Sequence, residues 1–233
     1  EPAGGLDALV LNAGPGLVYL TGMHFHLSER PVIAVFARGH EPVIFLPELE
    51  MLKLSGLPFQ IQAFPYGENP ADWEGIFRTA ISTLNLKSKS IGVEPRQLRL
   101  LEFNLVYACI PEGIFPDASE LISNLRARKD GDEIVAIRKA VIVAQSALEA
   151  TIPLIRSGMT EKELSAELVV QLLRHGSQPE MPFAPIVSSG PNSANPHAVP
   201  TERKIQHGDL LVVDWGAAVD GYVSDLTRTF AVG

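Results

Sequence analysis

A chain of 233 residues with 46% hydrophobic content and a formal net charge of −8 suits one or two ordinary globular domains. Its 19 lysines and arginines are spread along the chain, which argues against a nucleic-acid ligand, whose binding rests on clustered cations neutralising phosphates. No apolar run reaches the roughly 18–20 residues of a membrane span, and a lone cysteine, Cys109, excludes an intramolecular disulfide and favours a reducing, cytoplasmic compartment.

In chain order, Leu6 to Leu11, Val32 to Phe36 and Val43 to Leu46 read as strands, the last two joined by a hairpin-like connection over 37–42. Gly14-Pro15-Gly16 reads as a turn and not a phosphate loop, because neither a Lys-Ser/Thr pair nor a helical pattern follows it. His24 and His26 share one side of an extended segment, as metal ligands, as a reach into a neighbouring subunit, or as ordinary loop histidines. A helix is expected over 71–84, with Trp73, Ile76, Phe77, Ala80 and Leu84 on one side, and a strand over 90–93. Together these make an α/β domain with a mixed sheet.

The charged stretch 126–132 marks a boundary, giving an N-terminal domain over 1–127 and a second domain over 128–233. Beyond it, Asp130 with Glu133 and Thr160 with Glu163 have capping-box spacing. The first opens a helix with an expected stripe of Ile134, Ile137, Val141, Ala144 and Leu148. The second opens a helix carrying Leu164, Leu168, Leu172 and Leu173 that stops near Gly176. Both helices are expected to back a sheet.

That sheet begins with a short strand at Ile186-Val187, which runs into a loop rich in Gly, Pro, Asn and Ser that delivers His197. Leu210 to Val213 is a buried-type strand, and Asp220-Gly221 reads as a two-residue type I′ hairpin turn. Partners across such a turn have numbers with a constant sum, so Asp214 faces Thr227 and lies diagonal to Asp225. Both carboxylates then project from one face, about 7–8 Å apart at Cα. Two anions at that spacing repel unless a cation, a proton or a basic group intervenes. From the hairpin alone, metal ligands and solvated strand-end aspartates are both open readings.

The strings Ile186-Val-Ser-Ser-Gly-Pro-Asn-Ser-Ala, Pro196-His197, Gly208-Asp209-Leu210, Asp214-Trp-Gly-Ala and Asp220-Gly-Tyr-Val-Ser-Asp-Leu-Thr-Arg-Thr-Phe230 resemble the catalytic domain of the pita-bread metallopeptidases. The similarity is greatest to Xaa-Pro dipeptidases (prolidases) and Xaa-Pro aminopeptidases. Earlier strings, Gly5-Leu-Asp-Ala-Leu-Val-Leu-Asn, Tyr19-Leu-Thr-Gly22 and Ile91-Gly-Val-Glu94, resemble that family's N-terminal domain. The implied fold is a creatinase N-terminal-like α/β domain followed by the first part of an α+β pita-bread domain. The resemblance implies two divalent ions (Mn, Co or Zn) held in part by Asp214 and Asp225, with His197 contacting substrate and stabilising the transition state. It also implies a homodimer acting on Xaa-Pro peptides, whose scissile nitrogen has no N–H and whose bond isomerises slowly.

The family completes its site with a histidine and two glutamates from later strands. The chain starts without Met and stops at Gly233, so the expectation is an interior portion of a longer protein, holding half a metal site and inactive by itself. The resemblance leaves dipeptidase and aminopeptidase activity both open. Alternative members of the fold are metal-independent, creatinase-like C–N hydrolases, which lose the aspartates, and non-catalytic peptide-binding proteins, whose ligands have decayed.

Overall fold

The computed structural model describes residues 5–233, which divide into two compact units, one ending at Arg128 and one spanning Lys129–Gly233. In the first, the order is β1 (Ala8–Asn12), α1 (Pro15–Thr21), β2 (Ile33–Ala37), β3 (Val43–Pro47), β4 (Gln62–Tyr66), α2 (Pro70–Ser82), β5 (Ile91–Val93), α3 (Leu100–Cys109) and α4 (Ser119–Ala127). The strands form one sheet in the order β4-β3-β2-β1-β5. It is mixed, as expected: β1/β2 and β2/β3 are antiparallel, while β1/β5 and β3/β4 are parallel.

Alternation along these strands feeds two separate cores, one on each face. Val10, Ile33, Val35 and Phe45 pack with Phe77 and Ala80 of α2 and Val106 of α3, whereas Leu11, Ala34, Ile44 and Leu46 pack with Leu17 of α1 and Ile122 of α4. Phe45 stacks on Phe77 with ring centroids 3.9 Å apart. β3 is buried at all five positions, which is why it reads as a continuous apolar run.

Four elements of this unit differ from the sequence expectation, α4 among them, since no helix is expected over 119–127. A helix does follow Gly14: Pro15 occupies its first turn, where a missing N–H costs nothing, and Gly22 closes it at φ 72. β4 escaped notice because Pro65 interrupts its pattern, yet it is an edge strand, where proline is tolerated. α3 lacks a one-sided stripe: Leu100 is exposed while Glu102 is fully buried, its carboxylate held by the Arg99 guanidinium.

The second unit contains α5 (Gly131–Thr151), α6 (Glu161–Arg174), β6 (Ile186–Ser189), β7 (Leu210–Trp215), β8 (Ala218–Val219), β9 (Tyr222–Val223) and β10 (Leu226–Ala231). Both capping boxes form. The inward face of α5, however, is Ala136, Ala140, Ala144 and Ala147 with Leu148, and Ile134 is exposed. Likewise Leu173 of α6 is exposed, while Leu164, Leu168 and Leu172 are buried. The alanines allow close approach to the sheet. Trp215 Nε1 donates to the Ala144 carbonyl at 2.8 Å, and the Ser224 hydroxyl donates to the Ala140 carbonyl at 3.1 Å.

The sheet order is β10-β7-β6, antiparallel throughout, with β8 and β9 forming a small ladder of their own. Leu211, Val213 and Trp215 of β7 and Val187 of β6 pack against the two helices. Between the ladders, Gly216 lets the backbones cross closely, since a Cβ there would lie 2.1 Å from the Ser224 carbonyl oxygen. The Ser224 hydroxyl accepts from the Ala217 N–H at 3.0 Å, a bond that the Ser224 carbonyl would accept in an unbroken ladder.

One polar cluster ties the start of α6 to the loop after β6. Glu161, fully buried, accepts hydrogen bonds from Ser189 N (2.7 Å), Ser189 Oγ (2.9 Å), Asn192 Nδ2 (3.0 Å), Thr201 N (3.0 Å) and Thr201 Oγ1 (2.6 Å). Burial pushes this carboxyl's pKa up, but the bonds from Thr201 and Ser189 outweigh it and hold it below the usual 4.5. Beside it, Arg203 makes a bidentate pair with Asp209 (2.7 and 2.9 Å) and donates to Ser189 Oγ at 2.6 Å.

Two outcomes follow for stability. Gly216→Ala overpacks a backbone crossing and is expected to destabilise the chain by about 1–3 kcal/mol or more, read as a lowered urea midpoint at unchanged slope. Because the folded Glu161 carboxyl titrates below its unfolded value, its contribution is complete above the ordinary glutamate range and is lost as pH falls through the folded value. Thermal melts from neutral pH to pH ~3 should show that acid loss, and Glu161→Gln should be less stable at neutral pH with a shallower decline.

Candidate metal centre

The hairpin that carries the two aspartates is built by its turn. Asp220 and Gly221 both adopt left-handed backbone, at φ 52 and φ 78, the type I′ geometry whose twist matches that of paired strands. Ala218 pairs with Val223, and Val219 with Tyr222. The same register resumes beyond the break, pairing Trp215 with Leu226 and Asp214 with Thr227.

Asp214 alternates with the core residues Val213 and Trp215, so it belongs to the sheet face opposite α5 and α6. It is half-buried, and the Thr227 hydroxyl donates to its Oδ1 at 3.1 Å. Asp225 is exposed in the short interval between β9 and β10, two residues before Thr227 and hence diagonal to Asp214. Among the described residues no lysine or arginine pairs with either carboxylate. Two uncompensated carboxylates on adjacent strands form an oxygen donor set of the kind that hard or borderline divalent ions take, and the residues present fit such an ion on chemical grounds.

His197 lies in an exposed turn after the 3₁₀ segment Gly190–Ala194. Its N–H donates to the Asn195 side chain at 3.0 Å, an Asx turn, and the neighbouring Ala198 is buried. The loop leaves β6 through Gly190 at φ 50, where a Cβ would meet Arg203 Nη2 at 2.6 Å and Asp209 Oδ1 at 2.7 Å. Among the described residues no group of three or more His, Cys, Asp or Glu side chains is placed to share an ion. The structure therefore relates Asp214 and Asp225 through the hairpin and does not bring His197 to them as a third ligand. His24 and His26 are exposed and join no such group either.

Sequence reasoning gave no role to Glu161, Thr201, Arg203 and Asp209, which shape the base of the His197 loop. A signal existed for Glu161. Thr160 and Glu163 already satisfy the helix start, so a second acid there is surplus to capping.

Comparison with known proteins agrees in both units. Residues 3–128 match the Creatinase/Prolidase N-terminal domain, and residues 135–233 match Metallopeptidase family M24. An Xaa-Pro dipeptidase of Lactobacillus delbrueckii subsp. lactis is 29% identical over 98% of this chain, which spans 62% of that protein. Among solved structures, a recombinant prolidase from Thermococcus sibiricus superposes with a TM-score of 0.89 at 29% identity, covering 98% of this chain and 62% of that one. A dipeptidase from Pyrococcus horikoshii OT3 superposes with a TM-score of 0.87 at 31% identity, with the same shares covered. With the N-terminal match extending over more than half of its length, the chain belongs to the creatinase/prolidase family, and its second unit is similar to metallopeptidase family M24.

Proposed function

We propose that this chain is part of a metal-dependent hydrolase of peptide bonds preceding proline, an Xaa-Pro dipeptidase or aminopeptidase, in which Asp214 and Asp225 are metal ligands and His197 is a catalytic residue. The observation that carries the reading is the hairpin register. It pairs Asp214 with Thr227, with Asp225 one strand period along the neighbouring strand and, among the described residues, no basic side chain to neutralise either carboxylate.

When bound, divalent ions of the Mn, Co or Zn type supply Lewis acidity, polarising the scissile carbonyl and acidifying water. The residues of this chain do the holding and orienting. Asp214 is fixed by the Thr227 hydroxyl, Asp225 follows directly from the buried Ser224, and the His197 imidazole donates a hydrogen bond to the substrate or the developing oxyanion. A homodimer belongs to the same reading. A cytoplasmic location is supported by the single cysteine of the chain.

Loaded with Mn, Co or Zn, the complete gene product should hydrolyse an Xaa-Pro dipeptide. Asp214→Asn and Asp225→Asn should each lower metal content and reduce kcat/KM by ~100-fold or more. Metal content unchanged in both variants would overturn the assignment. Two carboxylates fall short of the roughly four to six donors an ion takes, so the 233 residues on their own should bind Mn weakly by calorimetry and show no turnover. Dipeptide hydrolysis by this chain alone would sink the half-site reading.

A further inference from the structure

The Glu161 carboxylate is placed at the one point where the His197 loop both begins and ends. Its Oε1 receives the Ser189 amide and hydroxyl, and its Oε2 receives the Thr201 amide and hydroxyl. The Asn192 side chain bridges the two oxygens at 3.2 and 3.0 Å. These partners lie 28 to 40 residues away in sequence, and none belongs to α6, whose cap is completed by Thr160 and Glu163. The carboxylate is thus committed to the loop and not to the helix that carries it.

Further contacts brace the same base. The Glu161 and Lys162 amides donate to the Arg203 and Thr201 carbonyls, and Arg203 joins Ser189 to Asp209. Inside the loop the anchors are short-range: the Asx turn at Asn195, the Asn195 and Ala198 amides on the Asn192 and Asn195 carbonyls, the buried Ala198 and the Ser193 hydroxyl on the Gly190 carbonyl, while Asn192 Nδ2 also reaches Thr201 Oγ1. His197 itself is exposed, so its placement depends on how firmly the two loop ends are held.

We propose that Glu161 is a positioning residue for His197, its single carboxylate clamping Ser189, Asn192 and Thr201 so that the imidazole is presented in one place. The role rests on the reading of His197 given under the proposed function. Glutamine has one acceptor oxygen and would turn an NH₂ group toward N–H and O–H donors, so Glu161→Gln opens the clamp with little change of volume.

The test has two readouts. Amide hydrogen exchange on the chain should be at least about tenfold faster over 192–201 in Glu161→Gln, a larger factor than any global loss of stability produces in α5 and the β7/β10 ladder. In the Mn-loaded complete gene product acting on an Xaa-Pro dipeptide, Glu161→Gln should lower kcat by roughly 10–100-fold at unchanged metal content. It should cost little further in a His197→Ala background, because the two act as a unit. Thr201→Val removes one of the donors to Glu161, together with the oxygen that accepts from the Arg203 amide and Asn192 Nδ2, and should give a smaller change in the same direction in both readouts, which keeps the test available if Glu161→Gln folds poorly. Unchanged exchange over 192–201, or a kcat loss fully additive with His197→Ala, would overturn the positioning role while leaving His197 catalytic. If His197→Ala alone leaves kcat intact, it is the reading of His197 that fails, and the positioning role with it.

Discussion

Two consecutive residues with left-handed backbone, Asp220 and Gly221, fix the geometry of the second unit. A two-residue turn admits a single register, and a slip by one residue would send every side chain of a strand to the opposite face. In β7 that slip would expel Leu211, Val213 and Trp215 from the core and drive Asp214 into it. Burial of the apolar set and exposure of the carboxylates are therefore enforced together. The register even survives the interruption at Gly216 and Ala217, because Ser224 supplies by its hydroxyl the acceptor that the ladder loses there.

The two faces of this sheet make opposite demands. On the helix side, close packing requires small residues on α5, and polar atoms that end up buried there find mid-helix carbonyls: Trp215 at Ala144 and Ser224 at Ala140. On the other side, among the described residues, the Thr227 hydroxyl is the neutral partner of Asp214. A neutral donor orients a carboxylate without cancelling its charge, which suits a residue whose proposed task is to hold a cation.

Glu161 illustrates the contrasting use of the same functional group. Fully buried and surrounded by donors, its carboxylate organises structure, whereas Asp225 is exposed and, among the described residues, without a basic partner. The environments, and not the residue types, separate the two roles. The pair Arg203–Asp209 is of the organising kind, with the guanidinium and the Gln206 N–H holding the Asp209 carboxyl well below the usual carboxylate range. Gly190 fits into this arrangement twice over, through its positive φ and through the space its missing Cβ leaves for Arg203.

The amino-acid sequence by itself determined what is encoded within a few residues: the capping boxes at Asp130 and Thr160, the type I′ turn, the hairpin register that follows from it, and the buried runs of β2 and β3. By contrast β7, expected as a buried-type run, alternates with Leu210 exposed, because only one face of its sheet meets the helices. His197, Asp214 and Asp225 stood out because whole strings around them resemble a family, and the hairpin geometry gave the two aspartates a common face. Tertiary structure alone decided the rest. α5 turns its alanines inward although its larger residues carry the stronger pattern, since close approach to the sheet selects for small volume. β4 and α3 form without a clean periodic signal, because an edge strand tolerates Pro65 and a buried Glu102 is acceptable once Arg99 neutralises it. The Glu161 clamp was invisible for the same physical reason: a carboxylate becomes a structural hub only when donors from 28 to 40 residues away converge on it, and no local pattern records that convergence.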